Sequence, residues 1–289
     1  MSKPNITILG DGGWGTTLAV LLHGKGFNIC LWGAFEDYVL YLDKKRINKK
    51  FLPGIKIPKG ITITHDLKQA VTGRDLIVIA VPSQYLRSTL EKLRIAGYPR
   101  NAIYLSVTKG IEISTLKRIS ELLSEELGRI KIAALSGPTI AWEVAKGIPT
   151  TAVVASKDLA MRKYLQGIFM TERFRIYTNS DVIGVELGGS LKNVIAIACG
   201  ISDGLGFGSN TKAALLARGL AEITRLGKAM GARQATFSGI IGSGSKGSLI
   251  SKARIIPGIN CLLVVRSIPP RLKFFVCEIS ILLDSSSTR

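Results

Sequence analysis

The 289-residue sequence predicts an α/β protein in which a doubly wound sheet is followed by an all-helical domain. Three observations predict this fold class. Short apolar runs alternate with helical patterns through about the first 180 residues, the runs lack polar alternation, and long amphipathic helices follow them. Apolar runs without alternation are typical of strands covered on both faces, as in a parallel sheet between two helical layers.

The first element is an apolar strand, Asn5–Leu9, which runs directly into a glycine-rich turn, Gly10-Asp-Gly-Gly-Trp-Gly15. In such a G-x-G-x-x-G turn the first glycine, Gly10, permits the tight bend. Gly12 leaves room for a pyrophosphate, and Gly15 lets the following helix pack closely. An ordinary structural turn is the alternative. The complete strand-turn-helix-strand context favours a Rossmann-like dinucleotide site.

Seven further strands and several helices complete the prediction. The strands are expected at residues 28–32, 61–64, 75–81, 102–107, 132–135, 151–155 and 174–177. Helical spacing predicts helices over residues 114–127, 181–199 and 209–230, and Asp203-Gly-Leu-Gly-Phe-Gly208 reads as a loop between the last two. We therefore predict a dinucleotide-binding domain at residues 1–180, a partial helical substrate domain at 181–245 and an off-pattern tail at 246–289.

Charge, cysteine content and hydrophobic patterning indicate which binding partners, metal sites and cellular location to expect. Basic residues exceed acidic ones by 39 to 20, but apart from one dense run at residues 44–50 they are scattered singly. Nucleic-acid binding is therefore not favoured over attraction of anionic small molecules. The four cysteines show no metal-ligand spacing, and we expect no metal site. The N-terminus enters a strand with no signal peptide, and no stretch of about 18 uninterrupted apolar residues predicts a membrane span. We expect a cytoplasmic protein.

Two lysines are candidates for chemistry. Lys109 follows the strand at 102–107, at the sheet edge where ligands of open α/β sheets bind; a solvated loop lysine is the alternative. Lys192 lies in a helix that is otherwise almost entirely apolar, so it must snorkel or reach a cavity. Partial burial would lower its pKa and suit it to proton exchange. Asn193 beside it is positioned to orient a substrate oxygen.

Several longer motifs now identify a resemblance. They are GDGGWGTTLA, FLPGI, AVPS, VTKG, SGPTIAWEVAKGIPT and ELGGSLKNVIAIACGISDGLGFGSNTKAALLARGLAEITRLG. Together they cover residues 5–244 and resemble the bacterial NAD(P)-dependent glycerol-3-phosphate dehydrogenases. Ketopantoate and hydroxyacyl reductases share the expected fold, but their pattern lacks these motifs.

The resemblance implies an oxidoreductase of glycerophospholipid synthesis, within lipid and carbohydrate metabolism. The reaction is reversible hydride transfer between NAD(P)H and dihydroxyacetone phosphate, giving sn-glycerol 3-phosphate. Lys192 would be the catalytic general acid and base, and Lys109 would touch both cofactor and substrate. The expected partner is a small-molecule substrate, and a homodimer is one compatible assembly.

The resemblance also assigns contacts to the glycine loop and to the SGPT motif. Gly13 and Trp14 would contact the cofactor together with Gly10, Gly12 and Gly15, as would Ala141. Gly137 and Thr139 would line the substrate site with Lys109, Lys192 and Asn193.

Cofactor choice stays open between NAD and NADP. The acid that usually grips the ribose is expected about twenty residues past the glycines, where this chain reads Trp32-Gly-Ala-Phe-Glu-Asp37. The family often carries a basic residue where Ala34 stands. Its replacement favours NAD or weak discrimination.

The resemblance stops near Gly244. The family continues with Gly-x-Gly-Asp and an Arg-Asn-Arg motif, whereas Ser245 stands in the aspartate's place and no Arg-Asn pair follows. We interpret the C-terminal domain as truncated or frameshifted, a hypothesis that resequencing the locus tests. Two alternatives to an active enzyme follow. One is a catalytically impaired cofactor-binding homologue, and the other is a basic nucleic-acid or membrane-surface binder.

Overall fold

The computed structural model describes residues 3–239 of the chain. Residues 240–245 of the expected helical domain, and the whole expected tail at 246–289, lie outside the described residues. Eight strands are present in this part: β1 (Asn5–Leu9), β2 (Asn28–Trp32), β3 (Thr62–Thr64), β4 (Leu76–Ile79), β5 (Ile103–Ser106), β6 (Lys131–Ser136), β7 (Thr150–Ala155) and β8 (Phe174–Asn179). All eight predicted strands are thus confirmed, with ends that differ by a residue or two.

Ten helices connect and follow these strands in the described part of the chain. They are α1 (Gly13–Gly24), α2 (Glu36–Lys45), α3 (Leu67–Val71), α4 (Ser83–Ala96), α5 (Ile119–Leu127), α6 (Ala141–Ala145), α7 (Leu159–Phe169), α8 (Val182–Gly204), α9 (Ser209–Ala229) and α10 (Gln234–Ser238).

The strands form one sheet in the order β3-β2-β1-β4-β5-β6-β7-β8. β1 pairs in parallel with β2 on one side and with β4 on the other, so the direction in which the chain winds reverses beside β1. Ligands of open α/β sheets bind at such a switch point, outside the carboxyl ends of the strands. The glycine-rich turn follows β1 at this place.

The central strands are buried on both faces, as their apolar composition predicted. Along β4, Leu76 and Val78 pack into one apolar cluster, while Ile77 and Ile79 pack into a second cluster on the opposite face. All four side chains are inaccessible to solvent. Alternate residues of a strand point to opposite faces, so helices must cover both sides of the sheet.

The expectation of a wholly parallel sheet is wrong at one strand. β6 and β7 pair antiparallel, and β7 then pairs in parallel with β8. A parallel connection usually needs a helix that returns along the sheet. The one helix between β6 and β7 is the five-residue α6, which contacts α1 through a hydrogen bond from Thr17 Oγ1 to the Ala141 carbonyl (3.0 Å).

The helix predicted over residues 114–127 begins later, at Ile119. Glu112 organises the preceding residues into a turn. Its carboxylate accepts two hydrogen bonds from the Arg87 guanidinium, both 2.7 Å long, and its carbonyl accepts from the Leu116 N–H (2.9 Å). Leu116 has a φ of +58°, which is incompatible with a helix. The ion pair with Arg87 joins residues that are far apart in the sequence, so helical spacing does not predict it.

The described helical part consists of α8, α9 and α10. Asp181 caps α8 by accepting from the Gly184 N–H (2.9 Å), and its second oxygen accepts from Thr236 Oγ1 (2.7 Å) on α10. Apolar residues of α9 pack against α8; they are Leu215, Leu216, Leu220, Ile223 and Leu226.

The loop predicted at residues 203–208 is shorter than expected, because α8 extends to Gly204. Gly206 has a φ of +74° and turns the chain out of the helix. By length and composition α8 resembles a membrane-spanning segment, but 61% of its most apolar window is buried within the protein. A core helix shows the same burial.

Candidate active site

The glycine-rich turn after β1 has the backbone geometry that its glycines predict. Gly10 has a φ of +118°, and a Cβ placed there would lie 2.7 Å from the Ala80 carbonyl oxygen. A Cβ at Gly15 would lie 1.9 Å from the Gly10 carbonyl oxygen, so neither position accepts a side chain. Nothing lies within 4 Å of a Cβ built on Gly12. The turn therefore opens a space in front of Gly12.

The N-terminus of α1 faces this space. The helix begins at Gly13, and no described side chain caps its first turn. Unpaired N–H groups and the positive end of a helix dipole favour an anion. A Cβ built on Gly13 would lie 3.7 Å from the Ala141 Cβ, so the fold brings these two candidates together. These residues fit the pyrophosphate of a dinucleotide.

Trp14 is placed differently from the other residues of the loop. Its ring packs edge-on against Phe174, with 6.3 Å between centroids and 84° between planes. The indole therefore belongs to the core beside the sheet. The backbone of Trp14 is available for a cofactor contact through the first turn of α1.

Lys192 occupies the position that the sequence singled out. It lies on α8 with 9% of its surface exposed, and its Nζ has no hydrogen-bond partner among the described residues. Burial, and after it the nearby charge of Lys109, lower the pKa of Lys192 from 10.5 to about 8. A buried ammonium without a partner is costly, which marks it as a candidate functional group.

Lys109 shares this site from the end of β5. Lys109 is exposed as a residue, but desolvation around its ammonium lowers the pKa of Lys109, and its Nζ donates to the Gly137 carbonyl at 3.3 Å. Gly137 packs tightly, since a Cβ there would lie 2.8 Å from the Thr151 carbonyl oxygen. The buried Thr139 donates its N–H to the same Gly137 carbonyl at 2.9 Å. Lys109, Gly137, Thr139 and Lys192 thus gather at one edge of the sheet.

A buried ion pair holds α8 against the nucleotide-binding sheet. Arg118 donates to Glu186 at 2.6 Å, and both side chains are at least 90% buried. Glu186 also accepts from the Ser120 N–H (2.8 Å) and Oγ (2.7 Å). Burial raises the pKa of Glu186, and the contacts with Ser120 and Arg118 oppose that rise. Glu186 lies six residues before Lys192 on α8, so the pair fixes the helix that carries Lys192.

Two further contacts set the position of α8 at the strand ends. Ser190 Oγ accepts from the Gly110 N–H at 2.8 Å, which links α8 to the loop after Lys109. A Cβ at Gly189 would lie 2.1 Å from Ser136 Oγ, so α8 approaches β6 as closely as a glycine permits.

Asn193 is not brought into the lysine cluster by direct contact. It is exposed, whereas Lys192 is buried. Successive residues of an α-helix diverge by about 100°, so the two side chains leave α8 in different directions. The substrate contact of Asn193 stays a prediction.

Comparisons with known proteins decide the family. The family model described as NAD-dependent glycerol-3-phosphate dehydrogenase N-terminus matches residues 5–162. The model described as the C-terminus of the same family matches residues 181–250. The chain belongs to the NAD-dependent glycerol-3-phosphate dehydrogenase family. The resemblance stated from the sequence is therefore confirmed.

Curated relatives carry the same family name. A glycerol-3-phosphate dehydrogenase [NAD(P)+] from Geobacter sp. (strain M21) is 50% identical over 242 residues, which cover 83% of this chain and 72% of the relative. The protein of that name from Thermoanaerobacter sp. (strain X514) is 51% identical over 239 residues, with the same coverage of both chains. Nothing in these matches favours the catalytically impaired alternative.

Solved structures confirm the predicted fold class. The glycerol-3-phosphate dehydrogenase of Coxiella burnetii superposes with a TM-score of 0.80 at 39% identity, covering 83% of this chain and 73% of that one. A UDP-glucose dehydrogenase from Pyrobaculum islandicum is 17% identical with a TM-score of 0.53, over 71% of this chain and 52% of that one. This second likeness concerns the fold alone.

Sequence reasoning missed two polar groups near the family site. Ser136 Oγ and Asp11 Oδ2 are buried and have no hydrogen-bond partner among the described residues. Ser136 opens the SGPT motif and lies against α8. Asp11 occupies the first variable position of the glycine loop, and this position does not by itself predict the direction of the Asp11 side chain.

Other concave surfaces of the described chain lie away from the lysine cluster. A groove of about 550 Å³ lies between α9 and α10, and one of about 370 Å³ lies between α1 and the residues preceding β8. No group of three or more histidine, cysteine or acidic residues within residues 3–239 is arranged to hold a metal ion.

Proposed function

We propose that the chain catalyses the reversible, NAD(P)-dependent reduction of dihydroxyacetone phosphate to sn-glycerol 3-phosphate, for glycerophospholipid synthesis. One observation supports the assignment of this reaction to particular residues. The ammonium of Lys192 is buried without a partner among the described residues, beside Lys109, at the same edge of the sheet as a glycine loop that fits a dinucleotide.

Lys192 is proposed as the general acid and base. In the reducing direction its ammonium donates a proton to the C2 oxygen of the ketone as that oxygen gains negative charge. In the reverse direction its neutral amine accepts the proton. A pKa near 8 suits both roles near neutral pH, because general catalysis is most efficient when pKa and pH are close. When bound, the nicotinamide cofactor supplies or accepts the hydride.

Lys109 is proposed to bind the anionic substrate and to touch the cofactor. Its charge adds to that of Lys192, so the site attracts an anion such as a phosphate monoester. Gly137 holds the Lys109 ammonium in place by hydrogen bonding and, with Thr139, forms the wall of the site. Asn193 completes the proposed substrate contacts from the exposed side of α8.

The cofactor is proposed to bind along the turn after β1. Gly12 leaves the space for its pyrophosphate, and the first turn of α1 presents N–H groups from Gly13 and Trp14. Gly10 and Gly15 fix the shape of the turn. Ala141, which lies beside Gly13, limits the space from the side of α6.

The cellular setting is part of the same proposal. We expect a cytoplasmic enzyme whose partner is its small-molecule substrate, assembled as a homodimer. Light scattering on the purified protein measures the assembly. A mass of one chain across the working concentration range contradicts the dimer and leaves the chemistry unaffected.

The activity is tested with the purified full-length chain. Oxidation of NADH and NADPH is followed with dihydroxyacetone phosphate and, as a matched control, with dihydroxyacetone, which lacks the phosphate. We expect turnover with the phosphorylated ketone and a kcat/KM at least about 100-fold lower without the phosphate, because charge-assisted hydrogen bonds are lost. Cofactor binding without turnover of either ketone contradicts the proposal.

A further inference from the structure

The end of β2 lacks the acidic residue that nucleotide-binding sheets usually carry there. That acid hydrogen-bonds the adenosine ribose from a position about twenty residues past the glycine turn. In this chain Gly33 follows β2 directly and offers no side chain. Glu36 and Asp37 lie farther on, exposed in the first turn of α2, and Glu36 is 3.5 Å from His65.

A carboxylate from the glycine turn reaches the place that Gly33 leaves open. Asp11 Oδ2 lies 2.4 Å from where a Cβ on Gly33 would stand, and the Asp11 Cγ lies 2.7 Å from it. Any other residue at position 33 would displace the Asp11 side chain. The backbone of Gly33 is fixed by its N–H, which donates to the Thr64 carbonyl at 3.1 Å.

Hydrogen bonds to its backbone carbonyl help to fix the position of Asp11. Its carbonyl accepts from Asn48 Nδ2 (2.8 Å) and from Thr16 Oγ1 (3.2 Å). Oδ2 is buried without a hydrogen-bond partner among the described residues. Burial raises the pKa of Asp11, and its own backbone hydrogen bond and the charge of Lys50 oppose that rise. A buried acceptor without a donor is costly. Asp11 as a whole is only partly buried, so a turn of its side chain toward a ligand hydroxyl would relieve that cost.

We propose that Asp11 is the ribose-binding and cofactor-selecting residue of this chain, which accepts a hydrogen bond from the adenosine ribose and favours NAD(H) over NADP(H). The proposal rests on the cofactor site of the proposed function. A 2′-phosphate at this place would meet a carboxylate of like charge, and such a repulsive element is an effective source of specificity. Lys50 is the opposing group, since a cation there would favour the phosphate.

Direct binding tests the proposal without turnover. Dissociation constants for NADH and NADPH, and for ADP-ribose and its 2′-phosphate, are measured by calorimetry on the full-length chain. The variants are Asp11→Asn, which keeps the shape, and Asp37→Asn as a matched control from the same edge of the sheet. Thermal unfolding confirms that each variant is folded.

We expect the parent to bind NADH at least about tenfold more tightly than NADPH, which corresponds to one charge-assisted contact. Asp11→Asn should lower that ratio by about tenfold, and Asp37→Asn should leave it unchanged. Lys50→Met acts on the opposing charge from an exposed position and should raise the ratio, so the proposal remains testable if Asp11→Asn does not fold.

Three results would overturn the assignment of Asp11. They are a parent that binds NADPH as well as NADH, a ratio insensitive to both Asp11→Asn and Lys50→Met, and an equal effect of Asp37→Asn. Each of these leaves the proposed dehydrogenase intact if dihydroxyacetone phosphate is still turned over. A parent that binds neither dinucleotide contradicts the proposed function itself.

Discussion

Lys192, which is buried on α8, shares one site with Lys109 at the end of β5, close enough that the charge of Lys109 lowers the pKa of Lys192. Lys109 donates to a backbone carbonyl, whereas Lys192 Nζ has no hydrogen-bond partner in residues 3–239. A buried cation beside a like charge destabilises a fold. The presence of the two lysines is explained if an anionic substrate and a proton acceptor enter the site.

Replacing Lys192 by methionine is expected to stabilise the cofactor-free protein at neutral pH. The folded-state pKa of about 8 is below the unfolded value of 10.5, so the folded state binds fewer protons between these values. The lysine therefore costs stability fully below pH 8, by at most about 3 kcal/mol, and not at all above pH 10.5. Urea unfolding of parent and variant at several pH values measures the difference, which should shrink as the pH rises from 8. A variant less stable than the parent at pH 7 contradicts it.

The pH dependence of catalysis should differ between the two directions of the reaction. Ketone reduction needs the ammonium form of Lys192, so its kcat/KM should fall as the pH rises through about 8. Oxidation of the alcohol needs the neutral amine, so its kcat/KM should rise over the same range. Initial rates with saturating cofactor measure both profiles. Profiles that share one slope across pH 7 to 9.5 would assign the proton transfer to another group.

Substitutions of Gly12 and Gly15 are expected to differ in effect, the first weakening cofactor binding and the second preventing folding. Gly12→Ala places a methyl group in open space, so it should cost no more than about 1 kcal/mol of stability while weakening NADH binding at least about tenfold. Gly15→Ala would collide with the Gly10 carbonyl oxygen and should unfold the domain. Calorimetry and thermal unfolding measure both properties. Gly24→Ala, at the open end of α1, is the control and should leave binding unchanged.

The buried pair between Arg118 and Glu186 should contribute to stability far more than a surface pair. Arg118→Met leaves the Glu186 carboxylate buried without its cation, which should cost about 3 kcal/mol. Arg225→Met removes an exposed pair with Glu222 and should change the free energy of unfolding by less than about 0.5 kcal/mol. Urea unfolding of the two variants compares them. Equal effects would show that α8 is held in place by other contacts.

Local sequence patterns predicted most of the fold. β1 and β2 match their predicted bounds because an apolar run between glycines and polar residues defines both ends. Lys192 was recognisable as an exception within an apolar helix, and the structure buries it as expected. The glycine turn was recognisable because its spacing reflects a backbone geometry that other residues cannot adopt.

The features that the sequence did not predict all depend on long-range contacts. β7 pairs antiparallel with β6 across a connection whose one helix, α6, has five residues and contacts α1, and the late start of α5 accompanies the ion pair between Arg87 and Glu112. The Asp11 side chain lies against Gly33, which follows another strand, β2. The spacing of residues along the chain does not predict these long-range contacts.

Turnover by a Lys192→Met variant measures the central claim most directly. Single-turnover oxidation of bound NADH by dihydroxyacetone phosphate is compared in the parent, in Lys192→Met and in Lys163→Met, which removes an exposed lysine on α7. We predict that Lys192→Met binds NADH normally but reduces the ketone at least about 100-fold more slowly, while Lys163→Met matches the parent. A folded Lys192→Met protein that reduces the ketone at the parental rate would contradict the assignment of Lys192 as the proton donor.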